Sequence, residues 1–332
     1  MTAPVKVLLV CFSSIGDVVL TTPVVRCMKK QLPDVELHFC TKPAYQPIVE
    51  YNPNIDKRHY LNGNLWSLIR QLRAEQYDCI IDLQNDFTSR LIKTALGTRT
   101  HTLAKPNLRT WFYLRWKVNT LSPQHIVDQY METVRPLDVE NDEMGLDYFI
   151  PYKDQVEADW LPPTHRHNYV AFVMGGRHMT KRLPLPRLIE LCRKINYPVV
   201  LLGDKEDQPT GNAIVSALGD ELIYNACGLF NLNKSASLLQ QARVVFSHDT
   251  GLMQVAAALK KKVYSIWGSS TPQLGSYPYK TPYVLLEKTG LACRPCSRTG
   301  LDNCPLKHFR CMNELPFDFE VKELRQKKKN FE

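Results

Sequence analysis

Short runs of β-branched and apolar residues alternate along this chain with longer amphipathic stretches, and the alternation recurs on both sides of the middle. Val5–Phe12, Glu36–Thr41 and Cys79–Leu83 read as strands in the first half. Tyr169–Val173, Pro198–Leu202, Arg243–Phe246 and Lys262–Ile266 read as strands in the second. Strands that are apolar nearly throughout are buried on both faces, which predicts parallel sheets covered by helices. Between them, Asp17–Leu32 carries Val18, Val25, Met28 and Leu32 on one stripe, and Pro23 predicts a kink or a late helix start. Leu65–Glu75, Leu185–Ile195 and Leu252–Leu259 show further helical patterns. Repeated strand–helix alternation predicts an α/β chain of two doubly wound domains. A length of 332 residues suits two such cores. The boundary is expected within Pro151–His167, which holds three prolines and no strong period. The reading is 1–160 and 161–316 as the domains, with 317–332 as a terminal helix.

Composition removes several classes. With 44% hydrophobic and 23% charged residues, the chain as a whole is not intrinsically disordered. No apolar run approaches the ~20 residues that a membrane span needs. Val7–Phe12 is too short for a signal-peptide core, and Asp17 follows soon after. Six of ten cysteines are scattered through apolar segments, as buried thiols in a reducing compartment would be. The expectation is a cytoplasmic protein. The formal charge of +9 favours an anionic partner: a phosphorylated substrate, an acidic membrane surface or nucleic acid.

Motifs narrow the choice. GxGxxG and GxxxxGK[ST] are both absent, which lowers the prior for NAD chemistry and for P-loop phosphoryl transfer. Phe12-Ser13-Ser14-Ile15-Gly16-Asp17 follows the first strand, so Asp17 is a carboxylate at a strand mouth. A helix-capping aspartate is an equally concrete reading of it. Gly175-Gly176-Arg177, with Lys181 and Arg182, follows the first strand of the second half. The glycines admit backbone N–H groups to a ligand, and the bases suit a diphosphate. Ser247-His248-Asp249-Thr250-Gly251 leads into an Ala-rich helix whose N–H groups can face an anion. A single Asp-Thr-Gly inside α/β punctuation argues against an aspartic protease. Asp207, within Gly203–Asp207, is either a ribose-binding acid or part of a solvated turn. Cys293-x₂-Cys296-x₇-Cys304-x₆-Cys311 reads as a structural zinc site or as reduced packing and redox cysteines. Lys105–Val118 mixes Trp111, Phe112 and Trp116 with Arg109, Arg115 and Lys117. Such a stretch suits an anionic interface, single-stranded nucleic acid or simple packing. No recognised nucleic-acid motif accompanies it, and no nucleic acid is expected as a partner.

In order and spacing, Phe12–Pro23, Gly175-Gly176 with Lys181-Arg182, Ser247–Met253 followed by Ala256–Ala258, and Tyr264–Gly268 resemble glycosyltransferase family 9, the ADP-heptose:lipopolysaccharide heptosyltransferases. The resemblance implies a GT-B architecture of two Rossmann-like domains facing a cleft. The N-terminal domain would take a lipopolysaccharide core or lipid A acceptor at the inner-membrane surface. The C-terminal domain would take a nucleotide sugar, and the final helix would return to the N-terminal domain. It implies inverting transfer with no cofactor required for catalysis. Asp17 matches the family's base, and Lys181 with the Thr250 and Gly251 N–H groups would meet the leaving diphosphate. Gly175, Gly176, Arg177, Arg182, Asp207, Asp249 and Gln254 fall on the donor side. Ser13, Ser14, Gly16, Arg109, Arg115 and Lys117 fall on the acceptor side. Gln254 stands where the family commonly has histidine, and an amide carries no charge near neutral pH. A family 9 enzyme using another sugar, and a non-catalytic nucleotide-sugar or glycolipid binder, are the alternatives.

Overall fold

In the computed structural model, which describes residues 4–104, 108–118 and 124–325, the apolar runs are the central strands of two separate parallel sheets. The first sheet comprises β1 (Val5–Val10), β2 (Val35–Thr41), β3 (Lys57–Tyr60), β4 (Cys79–Asp82) and β5 (Arg99–Thr102), in the order β3-β2-β1-β4-β5. Val7, at the centre of β1, is aligned with Leu37 on one side and Cys79 on the other. Both neighbours of β1 are parallel, and Leu8, Leu9 and Val10 are fully buried, as expected where crossover helices cover both faces of a parallel sheet. Burying one such leucine contributes roughly 1.5–3 kcal/mol. The edge strands, Lys57–Tyr60 and Arg99–Thr102, are polar and half exposed, and their sequence carries no strand signal.

The break expected around Pro23 takes a definite form. A short helix, Ile15–Leu20, stops at Thr21, and a second helix, Thr22–Gln31, begins with Pro23 in its first turn. Proline is tolerated there because that turn's N–H groups have no intrahelical partner. Thr21 and Thr22 return their hydroxyls to the Val18 and Val19 carbonyls at 2.8 and 2.7 Å.

The second sheet comprises β6 (Val170–Val173), β7 (Val199–Leu202), β8 (Ile223–Asn225), β9 (Val245–His248), β10 (Val263–Trp267) and β11 (Tyr283–Glu287). Its order is β11-β10-β9-β6-β7-β8. β6 therefore lies beside β9, and the chain runs outward from this pair in both directions. Helix Leu185–Ile195 covers one face through Leu188, Leu191, Cys192 and Ile195, as its stripe predicts.

Chain contacts divide into two units, Met1–Leu108 with Ser122–Phe149, and Arg109–Leu121 with Ile150–Glu332. Three sequence-based expectations change as a result. The boundary falls at 149/150 rather than 160/161, because the proline-rich stretch is fastened to the second unit. Asp154 accepts from Asn231 and Asn233 at 3.1 and 3.0 Å, and the Val156 N–H donates to Ser237 Oγ at 2.9 Å. Helix Leu108–Trp116 also groups with the second unit, not the first. Finally, the terminal segment is not one continuous helix over its described length. Residues 315–321 are not helical, and only Lys322–Arg325 forms a helical turn. Phe317, Phe319 and Val321 alternate onto the second unit's core, a spacing of two that suits extended chain. Glu323 then pairs with Lys262 at 2.7 Å. The basic residues Lys327–Lys329 lie outside the described residues.

Candidate active site

Open parallel sheets bind ligands at the carboxyl ends of strands where the order reverses direction. In the second sheet that point lies between β6 and β9. The segments that emerge there are Met174–Arg182 and Asp249–Gly251, the two glycine-containing motifs of this half. Their closeness is direct: a Cβ placed on Gly176 would stand 3.5 Å from Thr250 Cγ2.

Lys181 Nζ lies 2.6 Å from Asp249 Oδ2, and both side chains are largely withdrawn from solvent. Ser270 Oγ donates to the same carboxylate oxygen at 2.8 Å. Thr250 opens helix Gly251–Ala258 with extended backbone and no side-chain cap, so its first-turn N–H groups are not satisfied by that side chain. An ammonium and a helix N-terminus side by side form an anion-binding arrangement.

Arg182 is held more tightly. Its Nε donates to the Gly176 carbonyl at 2.6 Å and its Nη1 to Asp207 Oδ1 at 2.8 Å. Asp207 is buried, and its other oxygen accepts the Asp204 N–H at 2.9 Å. Both oxygens thus serve the protein, so Asp207 braces Arg182 and the turn after β7. The two glycines nearest it are dictated by space. A Cβ on Gly175 would meet Asp207 Oδ2 at 2.9 Å, and one on Gly203 would meet it at 2.6 Å. Arg177 is exposed.

His248 is a position beside the site that the motif reading leaves without a role. It is fully buried at the end of β9. Its Nδ1 lies 2.9 Å from the Met174 carbonyl, and its Nε2 accepts the Leu183 N–H at 3.0 Å. That pattern requires the neutral ring with the proton on Nδ1. Burial accordingly pushes its pKa down to about 4. One imidazole ties both ends of the Met174–Leu183 loop to the neighbouring strand. Thr180 ties its middle: its hydroxyl donates to the Leu301 carbonyl at 2.7 Å and accepts from Ser269 Oγ at 2.8 Å.

Gln254 is buried in helix Gly251–Ala258. Its Nε2 donates to the Ser276 carbonyl at 2.6 Å, and among the described residues its Oε1 has no hydrogen-bond partner.

In the first sheet the order reverses between β1 and β4. The Phe12–Asp17 turn leaves β1 there, and Gln84 from the end of β4 clasps it. Gln84 Oε1 accepts the Phe12 and Ser13 N–H groups at 2.8 and 3.2 Å, and its Nε2 donates to Ser13 Oγ at 3.1 Å. Gln84 is a second position that sequence reading does not single out. Asp82, fully buried, accepts the Gln84 and Asn85 N–H groups at 3.0 and 2.8 Å and pairs with Lys93 at 2.6 Å. Asp17 is half-buried in the first turn of helix Ile15–Leu20. Its Oδ2 accepts the Ser14 N–H at 2.6 Å and the Ser14 hydroxyl at 3.0 Å. The capping geometry foreseen for Asp17 is therefore present, and it holds the carboxylate at the strand mouth. Gly16 is buried beside it.

The acceptor-side bases and the cysteines fare differently. The Arg109 side chain lies outside the described residues. Arg115 is exposed, while Lys117 Nζ donates to the Leu114 and Pro295 carbonyls. Trp111, Phe112 and Trp116 are half exposed and pack on one another, with Phe112 and Trp116 stacked at 4.7 Å. Burial, then neighbouring thiols, raises the Cys296 pKa, and Cys311 is pushed up to about 11. Among the described residues, however, no three of the sulfurs at Cys293, Cys296, Cys304 and Cys311 come within 4.8 Å of one another. Cys311 nevertheless lies within electrostatic reach of Cys293, Cys296 and Cys304.

Known proteins are similar to this chain in sequence and fold. Residues 65–306 match the family described as glycosyltransferase family 9 (heptosyltransferase). The chain is 24% identical over 293 residues to lipooligosaccharide heptosyltransferase 2 of Haemophilus influenzae, covering 81% of this chain and 84% of that protein. A family 9 glycosyltransferase from Veillonella parvula has a similar fold, with a TM-score of 0.71 at 19% identity over 86% of each chain. The ADP-heptose lipopolysaccharide heptosyltransferase II of Escherichia coli is similar at a TM-score of 0.68 and 21% identity, over 93% of this chain and 98% of that one. The two Rossmann-like sheets are those of a GT-B glycosyltransferase, and with a family match over well more than half its length the chain belongs to glycosyltransferase family 9, the heptosyltransferases.

Proposed function

We propose that this enzyme transfers heptose from ADP-heptose to a lipopolysaccharide core acceptor, with inversion at the anomeric carbon and without a metal ion in the transfer step. The observation that carries the reading is the β6–β9 switch point. There the Lys181–Asp249 pair, two glycines and the Thr250-Gly251 helix start surround a place suited to a diphosphate. The donor named for the Escherichia coli relative is ADP-heptose, which agrees with that chemistry.

In the proposed reaction an acceptor hydroxyl oxygen attacks the anomeric carbon. The bond from that carbon to the diphosphate oxygen breaks, and its electron pair leaves with ADP. The hydroxyl proton passes to Asp17, a carboxylate already oriented by Ser14. Charge gathers on the departing diphosphate, where Lys181 and the Thr250 and Gly251 N–H groups stabilise it. Lys181 must then exchange its contact with Asp249 for one with phosphate, and Ser270 keeps a hydrogen bond to the carboxylate left behind. The exposed Trp111–Phe112–Trp116 cluster, beside Arg115, is the surface proposed to meet the membrane that holds the acceptor lipid. Among the described residues no helix is long and apolar enough to cross that membrane.

A donor screen with chelator present tests the reading, using a glycolipid from a truncated core as acceptor and nuclear magnetic resonance to read the product's anomeric configuration. Turnover with ADP-heptose and an inverted product is expected. Preference for another nucleotide sugar, an absolute need for a divalent ion, or retention of configuration would overturn the corresponding part.

A further inference from the structure

Two buried histidines from adjacent strands of the first sheet meet a tyrosine and a glutamate outside the transfer machinery. His38 lies in β2 and His59 in β3, with Cys40 aligned to His59 across the parallel pair. His38 is fully buried and His59 is 6% exposed. His38 Nδ1 and His59 Nε2 are 3.4 Å apart. Tyr77 Oη lies 2.8 Å from the first and 3.0 Å from the second. Glu75, the last residue of helix Leu65–Glu75, completes the group. Ligating atoms of His38, His59 and Glu75 all fall within 4.8 Å of one another.

Two features go beyond proximity. Two nitrogens each about 2.0–2.1 Å from a tetrahedral zinc ion stand about 3.3 Å apart, close to the spacing already present here. In addition, His38 Nε2 lies 2.8 Å from Glu36 Oε1. A carboxylate on that nitrogen keeps the proton there and leaves the Nδ1 lone pair facing His59 and Tyr77. Metal-binding histidines are commonly oriented by such an outer carboxylate.

We propose that His38, His59 and Glu75 bind a divalent transition cation of the zinc class, with the Tyr77 hydroxyl as the fourth neighbour. Imidazole and carboxylate donors suit this class better than calcium or magnesium, which favour all-oxygen sites. Glu75 also pairs with Lys57 and, at 3.6 Å, with Lys6, so the cation competes with ammonium groups for the carboxylate. The site fastens edge strand β3 to β2 and to the end of the covering helix. Its role is structural and separate from sugar transfer.

Cobalt(II) added to the chelator-stripped full-length protein is the test, read by visible absorption and calorimetry, followed by zinc competition. One equivalent of cobalt with four-coordinate visible bands, no thiolate charge-transfer band and a raised Tm is expected. His59→Gln should weaken binding at least 100-fold, and Glu75→Gln, on the more exposed side, at least 10-fold with the fold retained. Replacing Cys293, Cys296 and Cys304 with Ser should leave binding unchanged. The absence of saturable binding would overturn the proposal. So would a thiolate band lost with the cysteines, or Glu75→Gln and His59→Gln binding as tightly as wild type. The last result would leave the four side chains as a hydrogen-bonded packing network only.

Discussion

Lys181 and Asp249 form an ion pair of 2.6 Å at the carboxyl ends of neighbouring segments, where the second sheet reverses its strand order. Partly withdrawn from water, each is the other's main charge partner until an anion arrives. If the proposed diphosphate binds here, removing the cation alone leaves a carboxylate facing it. Lys181→Ala should therefore weaken ADP binding about 10- to 100-fold, the scale of one charged hydrogen bond of ~1.5–3 kcal/mol. The double variant Lys181→Ala with Asp249→Ala should bind ADP more tightly than Lys181→Ala alone, because the repulsion is gone. Calorimetry on the three proteins checks this, and equal affinities for all would remove Lys181 from the donor site.

Asp17→Asn tests the proposed base. The amide oxygen can still accept from the Ser14 N–H, so folding should change little. Turnover should fall about 100-fold or more while ADP affinity holds, as expected for a lost general base. A variant with near wild-type turnover would leave Asp17 as a cap only.

Gln84 makes a distinct prediction, because its oxygen satisfies two backbone donors of the turn that carries Asp17. Gln84→Ala leaves both without that acceptor and should cost ~1–3 kcal/mol of stability. Gln84→Glu keeps the acceptor and loses only the donation to Ser13 Oγ. It should be nearly as stable as wild type, with kcat lowered more than donor KM. Chemical denaturation and steady-state kinetics separate the two effects, and a stable, fully active Gln84→Ala protein would refute the positioning role.

Buried His248 sets a pH dependence whose sign is determined. Its pKa is about 4 in the folded protein, against 6.5 for an unperturbed imidazole. Between those values the unfolded chain takes up a proton that the folded one refuses. The stability it contributes is thus present above pH 6.5 and is lost as pH falls toward 4. Denaturation midpoints should be flat from pH 7 to 8 and fall below 6.5. His248→Gln should be less stable at pH 7 and show a shallower acid limb. A parallel limb in the variant would assign the acid loss to other groups.

The aromatic cluster on helix Leu108–Trp116 predicts vesicle binding that does not depend on the donor site. Trp111→Ser with Trp116→Ser should reduce binding to anionic vesicles and raise acceptor KM, with ADP affinity unchanged. Residual binding by the wild type should weaken with salt, since exposed charges are screened beyond about 10 Å at 0.1 M. Sedimentation with vesicles of anionic and neutral lipid reads the result. Unchanged binding in the double variant would place the membrane contact elsewhere.

The central strands, their parallel pairing and the helices Leu65–Glu75 and Leu185–Ile195 were determined by local sequence, because hydrophobic periodicity is a property of neighbouring residues. The motifs after β1, β6 and β9 were legible for the same reason: glycine, charge and capping residues at strand ends have local causes. Polar edge strands such as Lys57–Tyr60 and Arg99–Thr102 carry no such signal, since what makes them strands is the partner alongside. Only the tertiary structure decided that His248 bridges Met174 and Leu183, that Gln84 clasps a turn 71 residues away, and that Phe317–Val321 runs extended along the second core. It also joined His38, His59, Glu75 and Tyr77, and brought Cys293, Cys296 and Cys304 within electrostatic reach of Cys311. Contacts between residues far apart in the chain depend on strand order and burial, which no local pattern encodes.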